Sequence, residues 1–498
     1  MKRSRVPPGR HQRGAYVIVF ALLLMPLMLL GALAIDLSMA FMRRTDLQTA
    51  ADAAAQAAAR GLDGSAAGID KANARAEAVI ISSAVGYTAL LWSPDALRFS
   101  DKPGSDADWL PASSANTAAN ASRMRYARID TSELSSEFGS VRTVFARAIG
   151  SKSLYATLKV STVAVAGRSQ VQVTPLAVCA LDNQRYGSRN NGGGLVEWIE
   201  HGFRRGVSYN LLDLNPGIAG AAPLNYQVNP VDFPPAAESE SNRTLDALRP
   251  MVCSGTLALP FLPDNATVYV RQNFPPELAA QLNSRFGPLG AEAPACDRVA
   301  APADTNIREF MLPPFWMALP TQPPTPTALS GSALARVIAG RRVTIADVSG
   351  ATPSTDRTSY GPLWTFAKPL LYQGAAPVNT GAKFSKTNWA TLYPIATSEQ
   401  MLANASAPAD GDALPYDSTL AMFRTAPGGA SAPGLKGRRI LNIPLLSCPV
   451  GADGKATVLA VGRFLMTSRA SSTAPAVYGE FGGLAAPDSL SSATVLFR

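Results

Sequence analysis

Apolar and polar positions are spread unevenly along this chain, and the sharpest contrast lies at its start. From Gly14 to Met42 the stretch GAYVIVFALLLMPLMLLGALAIDLSMAFM is apolar at almost every position, and the 22 residues from Gly14 to Ile35 carry no charge. At about 1.5 Å of rise per residue such a helix is about 33 Å long, enough to cross a hydrocarbon layer of about 30 Å. A segment that is apolar all round has no wet face, so a membrane span is the predicted element. Beyond Arg43 and Arg44 the pattern becomes TDLQTAADAAAQAAAR, with neither Pro nor Gly before Gly61. Ala, Leu, Gln and Arg favour helix, so the span is expected to continue outward as a stalk, about 70 Å from Ala15 to Arg60. Leu33, Leu37, Ala40, Arg44, Leu47, Ala51, Ala54 and Ala58 step by alternating fours and threes, a heptad seam interrupted only by Arg44. Small side chains admit a close neighbour, which makes Leu47, Ala51, Ala54 and Ala58 a candidate contact face for a partner helix. Packing against the chain's own Ile69–Val85 is the better-fitting alternative, because 61–64 reads as a short helix-to-helix turn.

The remaining pattern predicts an α+β domain. Asp70 to Leu91 reads as a second helix, Ser100 to Ser122 as an exposed polar loop, and Arg123 to Ile129 as a strand. Phe138, Val141, Phe145 and Ile149 recur at helical spacing before Gly150. Leu154, Ala156, Leu158 and Val160 alternate with polar neighbours and the phase then shifts to Val163 and Val165, a strand with a break near Ser161. Near the C-terminus, Arg439 to Leu446 and Ala456 to Thr467 flank a turn at Asp453-Gly454 and read as a hairpin. The second of these runs is apolar on both faces and belongs in the middle of a sheet. Its expected partner is the Leu154–Val178 region. The expected organisation is therefore a tail at 1–13, a transmembrane helix at 14–42, a helical stalk at 43–91, and a mixed or antiparallel sheet begun by 92–179 and completed by 437–498. Residues 180–436 would be a long Pro/Gly-rich insertion. Within it Met311 to Thr327 is Pro-dense, and Phe315 and Trp316 are a candidate docking knob, with core anchoring as the plainer reading.

Charge assigns a direction to the span. Lys2, Arg3, Arg5, Arg10 and Arg13 precede it without any acid, a cation bias that places the N-terminus in the cytoplasm and the bulk of the chain outside. Arg13 and Gly14 mark its inner end and Arg43 its outer end. Asp36, the one acid in the apolar stretch, reads as a boundary marker within reach of water. The net charge is +9, but with five cations in the tail, 40 basic residues face 36 acidic ones elsewhere. No Lys/Arg patch interleaved with aromatics appears, so nucleic-acid binding is not expected. A basic start and an apolar run also describe a secretory signal, and Ala32-Leu33-Ala34 is a small-x-small cleavage site. The run exceeds the about 7–15 apolar residues of such signals, which favours a retained anchor.

Cys179, Cys253, Cys296 and Cys448 all follow the span, and none forms a C-x-x-C pair. In an oxidising exterior an even count favours two disulfides, with three pairings open. Pro175-Leu176-Ala177-Val178-Cys179 and Pro444-Leu445-Leu446-Ser447-Cys448 share the pattern P-L-x-x-C, as if two adjacent strands each ended in a half-cystine. That pattern favours Cys179 with Cys448 and leaves Cys253 with Cys296.

Catalytic constellations are missing from the sequence. The two histidines are His11 and His201, so zinc sites of the H-E-x-x-H kind and histidine-based triads lack their residues. No G-x-S-x-G elbow occurs, and Ile149-Gly150-Ser151-Lys152-Ser153 lacks the glycine that a nucleotide loop places before lysine. Asn190 to Gly194 reads as a loop leading into a short helix, LVEWIEHGFRRG. Arg204 and Arg205 read as solvated surface, and Asp213-Leu214-Asn215-Pro216-Gly217 lacks the distal acid of a calcium loop. No cofactor, metal or small-molecule substrate is expected.

One resemblance is specific. R-G-A at Arg13–Ala15, F-A-L at Phe20–Leu22, Gly31, A-I-D at Ala34–Asp36, L-Q at Leu47–Gln48 and A-A-D-A-A-A at Ala50–Ala55 resemble the TadG-like group of Flp pilus-assembly proteins. VFARAIG and LKVSTVAVAG, within Val144–Gly167, are similar to the unit that follows in that family. The resemblance implies a single-pass inner-membrane protein that serves the tight-adherence pilus machinery from the periplasm, without catalysis, among other pilus-assembly or secretion-platform proteins. Pilin-like relatives carry Glu five residues after a cleaved Gly. Here Val19 follows Gly14 at that distance, against processing. The D-x-S-x-S metal motif of larger relatives is approached only by Asp347-Val348-Ser349-Gly350-Ala351, without its last Ser. The expectation is a non-enzymatic, membrane-anchored assembly or structural component. Its rivals are a released hydrolase or binding protein and a processed minor pilin.

Overall fold

The computed structural model describes residues 13–85, 88–89, 91–104, 108–134, 139–143, 157–168, 170–218, 222–235, 237–259, 261–287, 296–310, 336–338, 341–343, 361–374, 382–393, 414–421, 423–428, 434–490 and 494–497. The basic tail before Arg13, His11, Phe315 and Trp316, the Pro-dense 311–327, and the motifs at 149–153 and 347–351 lie outside the described residues. The chain divides into two compact units, residues 1–169 with 493–498, and residues 170–492.

The first unit is built on α1, Arg13–Ala59, one helix of 47 residues that runs on through Pro26. A turn leads to α2, Ala66–Ser82, whose N-cap Ser65 accepts the Gly68 N–H on its Oγ at 3.0 Å. Asp63 Oδ1 in turn accepts the Ser65 N–H at 3.0 Å, which sets the turn. The sheet beside them comprises β1 (Leu97–Ser100), β2 (Leu110–Pro111), β3 (Tyr126–Asp130), β4 (Val163–Gly167) and the C-terminal strand Val495–Phe497. It is antiparallel throughout, in the order C-terminal strand, β4, β3, β1, β2. Ala127, Ile129, Ala164 and Ala166 form the buried face of β3 and β4 and share one core with the second half of α1.

That core takes up the small-residue seam. Leu47, Ala51, Ala54 and Ala58 are 0–1% exposed, packed with Ile69, Ala72, Ala76 and Ile80 of α2. The chain's own α2 and sheet occupy the candidate face for a partner helix, the packing that the sequence favours. The approach is close because the side chains are small. A Cβ on Gly61 would sit 2.6 Å from the Ala72 Cα.

Three further expectations change in this unit. α2 ends at Ser82, and Ala84–Val85 pairs with Thr88–Ala89, because Ser82, Ser83 and Gly86 do not sustain a helix as far as Leu91. The described parts of the 100–122 stretch contain β2 and two single helical turns, the second capped by Thr117. Of the helix expected over 138–149, the described part is a strand: Ser140–Arg142 pairs with Thr157–Lys159, setting Val141 against Leu158. The break before β4 falls at 160–162. There Thr131 Oγ1 donates to the Thr162 carbonyl at 3.0 Å and accepts the Thr162 N–H at 2.8 Å.

The second unit contains β5 (Leu176–Cys179), β6 (Tyr186–Asn190), β7 (Val196–Glu200), β8 (Ser208–Asn210), β9 (Asn225–Val228), β10 (Ala266–Gln272), β11 (Ile440–Leu446), β12 (Lys455–Met466) and β13 (Tyr478–Leu484). Its helices include α3 (Leu245–Ser254) and α4 (Ala279–Asn283). Seven strands form one sheet in the order β8, β13, β12, β10, β9, β5, β11. β11 pairs again with β12, so five strands close into a ring. Within it β5 and β11 are parallel, Leu445 beside Val178 and Leu446 beside Cys179, and the other pairings are antiparallel. Alternate residues of one strand feed two cores. Leu176 and Val178 join Leu445, Phe464 and Phe481 on one side, while Ala177 and Cys179 join Val228, Val268 and Val458 on the other.

β12 sits mid-sheet as its apolar pattern requires, but its neighbours are β10, β11 and β13. The Leu154–Val178 partner is corrected. Val163–Gly167 belongs to the first unit's sheet, and Leu176–Cys179 pairs with β9 and β11. Residues 180–436 are likewise not an insertion into a finished sheet, since they supply β8, β9 and β10. The boundary between the two units falls between Ser169 and Gln170. Short buried strands between Pro- and Gly-rich turns carry little periodicity, so composition alone conceals them.

Candidate functional site

The feature with the clearest consequence is the first half of α1. From Ile18 to Met42 all its described large apolar side chains except the half-buried Met39 are 43–70% exposed, Leu22 and Met28 among the most open. α1 is long and apolar enough to cross a membrane. Each such side chain gains about 1.5–3 kcal/mol on leaving water, so together they supply tens of kcal/mol in favour of a nonaqueous surrounding. The few polar side chains are internally satisfied. Ser38 Oγ donates to the Ala34 carbonyl at 2.7 Å, and Thr45 and Thr49 donate four residues back at 3.0 and 2.9 Å. Arg13 and Gly14 lie in the first turn of the helix and Arg43 is half-buried near the end of the apolar stretch. Asp36 is 2% exposed. Its reading as a water-reached boundary marker is corrected, since the carboxylate is covered while Ile35 and Leu37 on either side stay open.

The second unit holds two disulfides, each joining segments that the fold brings together. Cys179, at the end of β5, bonds to Cys448, two residues beyond the parallel neighbour β11, with Cα atoms 5.7 Å apart. Cys253, in the last turn of α3, bonds to Cys296 across 5.6 Å.

Several of its charged groups are buried in structural roles that sequence reasoning did not find, Glu197, Glu200, Arg204, Arg285, Arg439 and Glu480 among them. Residues expected to enter a helix form the hairpin of β6 and β7, with Ser188 beside Trp198 and Gly187 beside Ile199. Three consecutive glycines turn it, Gly192, Gly193 and Gly194, all at positive φ, where a side chain would be strained. Arg204 and Arg205 are not solvated surface. Arg204 Nε and Nη2 reach Glu197 at 2.9 and 2.6 Å, both side chains at most 1% exposed, with the guanidinium 4.7 Å from the Tyr393 ring. Arg205 donates to Glu200 at 2.7 and 3.1 Å. The hairpin-forming strand pattern came with its own counter-charges: Glu197 and Glu200 in LVEWIEHGFRRG were the available signal. His201 is buried, its Nδ1 3.1 Å from the Asp182 carbonyl. Asn215 closes a turn by accepting the Gly217 N–H at 2.7 Å. Among the described residues no group of His, Cys, Asp or Glu is arranged to hold a metal ion.

Glu480 on β13 is an acid whose charge changes near neutral pH. Fully buried, it accepts the main-chain N–H groups of Thr365, Phe366 and Ala367 at 2.9, 2.8 and 2.9 Å and so fastens that segment to the sheet. Burial pushes its carboxyl from 4.5 up to about 7, against the three N–H groups that favour the charged form. With the folded value above the unfolded one, its contribution is fully present below about pH 4.5 and is lost as pH rises through about 7. The difference corresponds to about 3 kcal/mol. Denaturant unfolding of native protein and Glu480→Gln across pH 4–8 is expected to show a falling component in the native protein that the variant lacks. Equal pH profiles would contradict it.

Residues 14–61 match the family model of putative Flp pilus-assembly TadE/G-like proteins. No curated protein and no solved structure matches this chain. The match begins at the second residue of α1 and ends in the turn before α2, so it takes in both the exposed apolar half of the helix and the buried alanine half. The match likens this segment to proteins of Flp pilus assembly.

Proposed function

We propose that this chain is a non-catalytic component of a Flp pilus-assembly system, held in the inner membrane by α1, with both folded units on the periplasmic side. One observation carries the reading: a single unbroken helix is openly apolar from Ile18 to Met42 and then, from Leu47, becomes part of a folded core. An anchor continuous with a packed domain transmits position, which a flexible tether would not. The cation bias before the span supports the cytoplasmic N-terminus, and two disulfides suit an oxidising compartment. Partners in the pilus-assembly or secretion platform would meet surfaces other than the Leu47–Ala58 seam, which the chain itself fills. The released-protein rival fits less well. The helix passes through Ala32, Leu33 and Ala34 without a break, so cleavage there would divide one continuous element.

The test is complementation of a strain lacking this chain. The full chain is expected to restore surface pili and adherence, whereas a chain with residues 1–42 replaced by a cleaved export signal is expected not to. Restoration by the released form would overturn the tethering role.

A further inference from the structure

Beside the end of α3 the second unit has a cleft of about 290 Å³ whose charge is one-sided. Arg285, Lys436 and Arg438 line it, with Thr174 and Thr256, and no acidic residue is among its described lining. Both guanidiniums cap helix ends through neutral carbonyls. Arg438 donates to Cys253 and Ser254 at 2.6 Å each and to Pro302 at 3.2 Å. Arg285 donates to Val252 at 3.0 Å and to Gln281 and Leu282 at 3.4 and 3.3 Å. Each therefore spends three of its five N–H groups on carbonyls. Arg285 is 1% exposed, and among the described residues its Nε has no hydrogen-bond partner.

Counter-charge nearby is already committed. Asp304 is fully buried, its carboxylate accepting from the Arg439 N–H, the Tyr416 hydroxyl and the Asn306 N–H. Asp417 pairs with Lys436 at 3.0 Å, but both side chains are open to water and the pair is weak. Burial and the neighbouring Arg438 both press the Arg285 guanidinium toward losing its proton. A buried guanidinium without a carboxylate is stabilised by an anion that supplies the missing charge and accepts the unspent N–H groups.

We propose that this cleft binds an oxyanion, the carboxylate or phosphate group of a small ligand, through Arg285, Arg438 and Lys436, with the hydroxyls of Thr174 and Thr256 as further donors. The volume is at the small end of ligand sites and suits a compact anion with a few waters. The inference is independent of the anchor and of the family match.

The test uses the full chain in detergent micelles with both disulfides formed, titrated with sodium phosphate or sodium acetate at constant ionic strength and followed by calorimetry and by the unfolding midpoint. A saturable response with a dissociation constant below about 20 mM is expected, weakened at least about tenfold in Lys436→Glu. Lys436 is exposed and its pair with Asp417 is open to water, so the variant's midpoint without ligand should stay close to the native one. A response to phosphate only assigns a phosphate ligand, and a response to acetate as well assigns a carboxylate; either supports the site. No saturable response to either anion, or equal binding by Lys436→Glu and native protein, would overturn it.

Discussion

Replacing Arg439 by leucine is expected to lower the stability of the second unit by about 3–5 kcal/mol, the largest loss from any single substitution considered. Arg439 is fully buried at the head of β11. Its Nε and Nη2 donate to the Met466 carbonyl at 3.0 and 2.6 Å, and Nη1 donates to Asn306 and Arg308 at 2.9 and 2.7 Å. One side chain thus joins the end of β12 to the 304–310 segment, with the Phe286 ring 4.4 Å away. Burial lowers its guanidinium to about 10, which leaves it charged at neutral pH. Leucine fills part of the volume but strands the carbonyls of Met466, Asn306 and Arg308 and leaves Asp304 with only one of its two neighbouring cations, Arg438, and each stranded buried acceptor costs about 1–3 kcal/mol. Lysine keeps the charge but cannot fork, so Arg439→Lys should recover only part of the loss. Urea unfolding of the three proteins checks this. A leucine variant within about 1 kcal/mol of native would show that the network contributes little.

Reduction of both disulfides is expected to be more damaging still, and only to one unit. All four cysteines lie in residues 170–492, so reductant should move the unfolding of the second unit and leave that of the first where it was. The Cys179–Cys448 bond closes 269 residues and the Cys253–Cys296 bond 43. On the chain-entropy account these constrain the unfolded chain by about 5–6 and about 4 kcal/mol respectively. Domains have about 5–15 kcal/mol in total, so losing both should unfold the second unit near body temperature or below. Calorimetry with and without reductant, and of the Cys179→Ser/Cys448→Ser protein, provides the check. A second unit whose unfolding does not respond to reductant would contradict the assignment.

What could be read from sequence follows the length scale of the forces. The apolar run, the alanine seam and the β11–β12 hairpin were legible because each repeats one local pattern over ten residues or more. The P-L-x-x-C pair was legible because β5 and β11 are neighbours running the same way, although the two copies lie two residues out of register: Leu446 stands beside Cys179, and Cys448 reaches it from two residues further on. The misread parts are non-local. VEWIE has residues that either helix or strand accepts, and its pairing with Tyr186–Asn190 decided for strand. The strands β8, β9 and β10 are three to seven residues long amid Pro and Gly, too short to declare a period. The covered state of Asp36 and the buried roles of Arg204, Arg285 and Arg439 could not be read because charge in a sequence signals surface until a fold supplies partners.

The central claim is that α1 is retained and holds the folded units at a bilayer. Its most direct measurement is fractionation of cells producing the full chain, with carbonate extraction of the membranes and N-terminal sequencing of the product. The account predicts a carbonate-resistant, membrane-bound chain that keeps its apolar segment. A soluble periplasmic product beginning at Ile35 would contradict it.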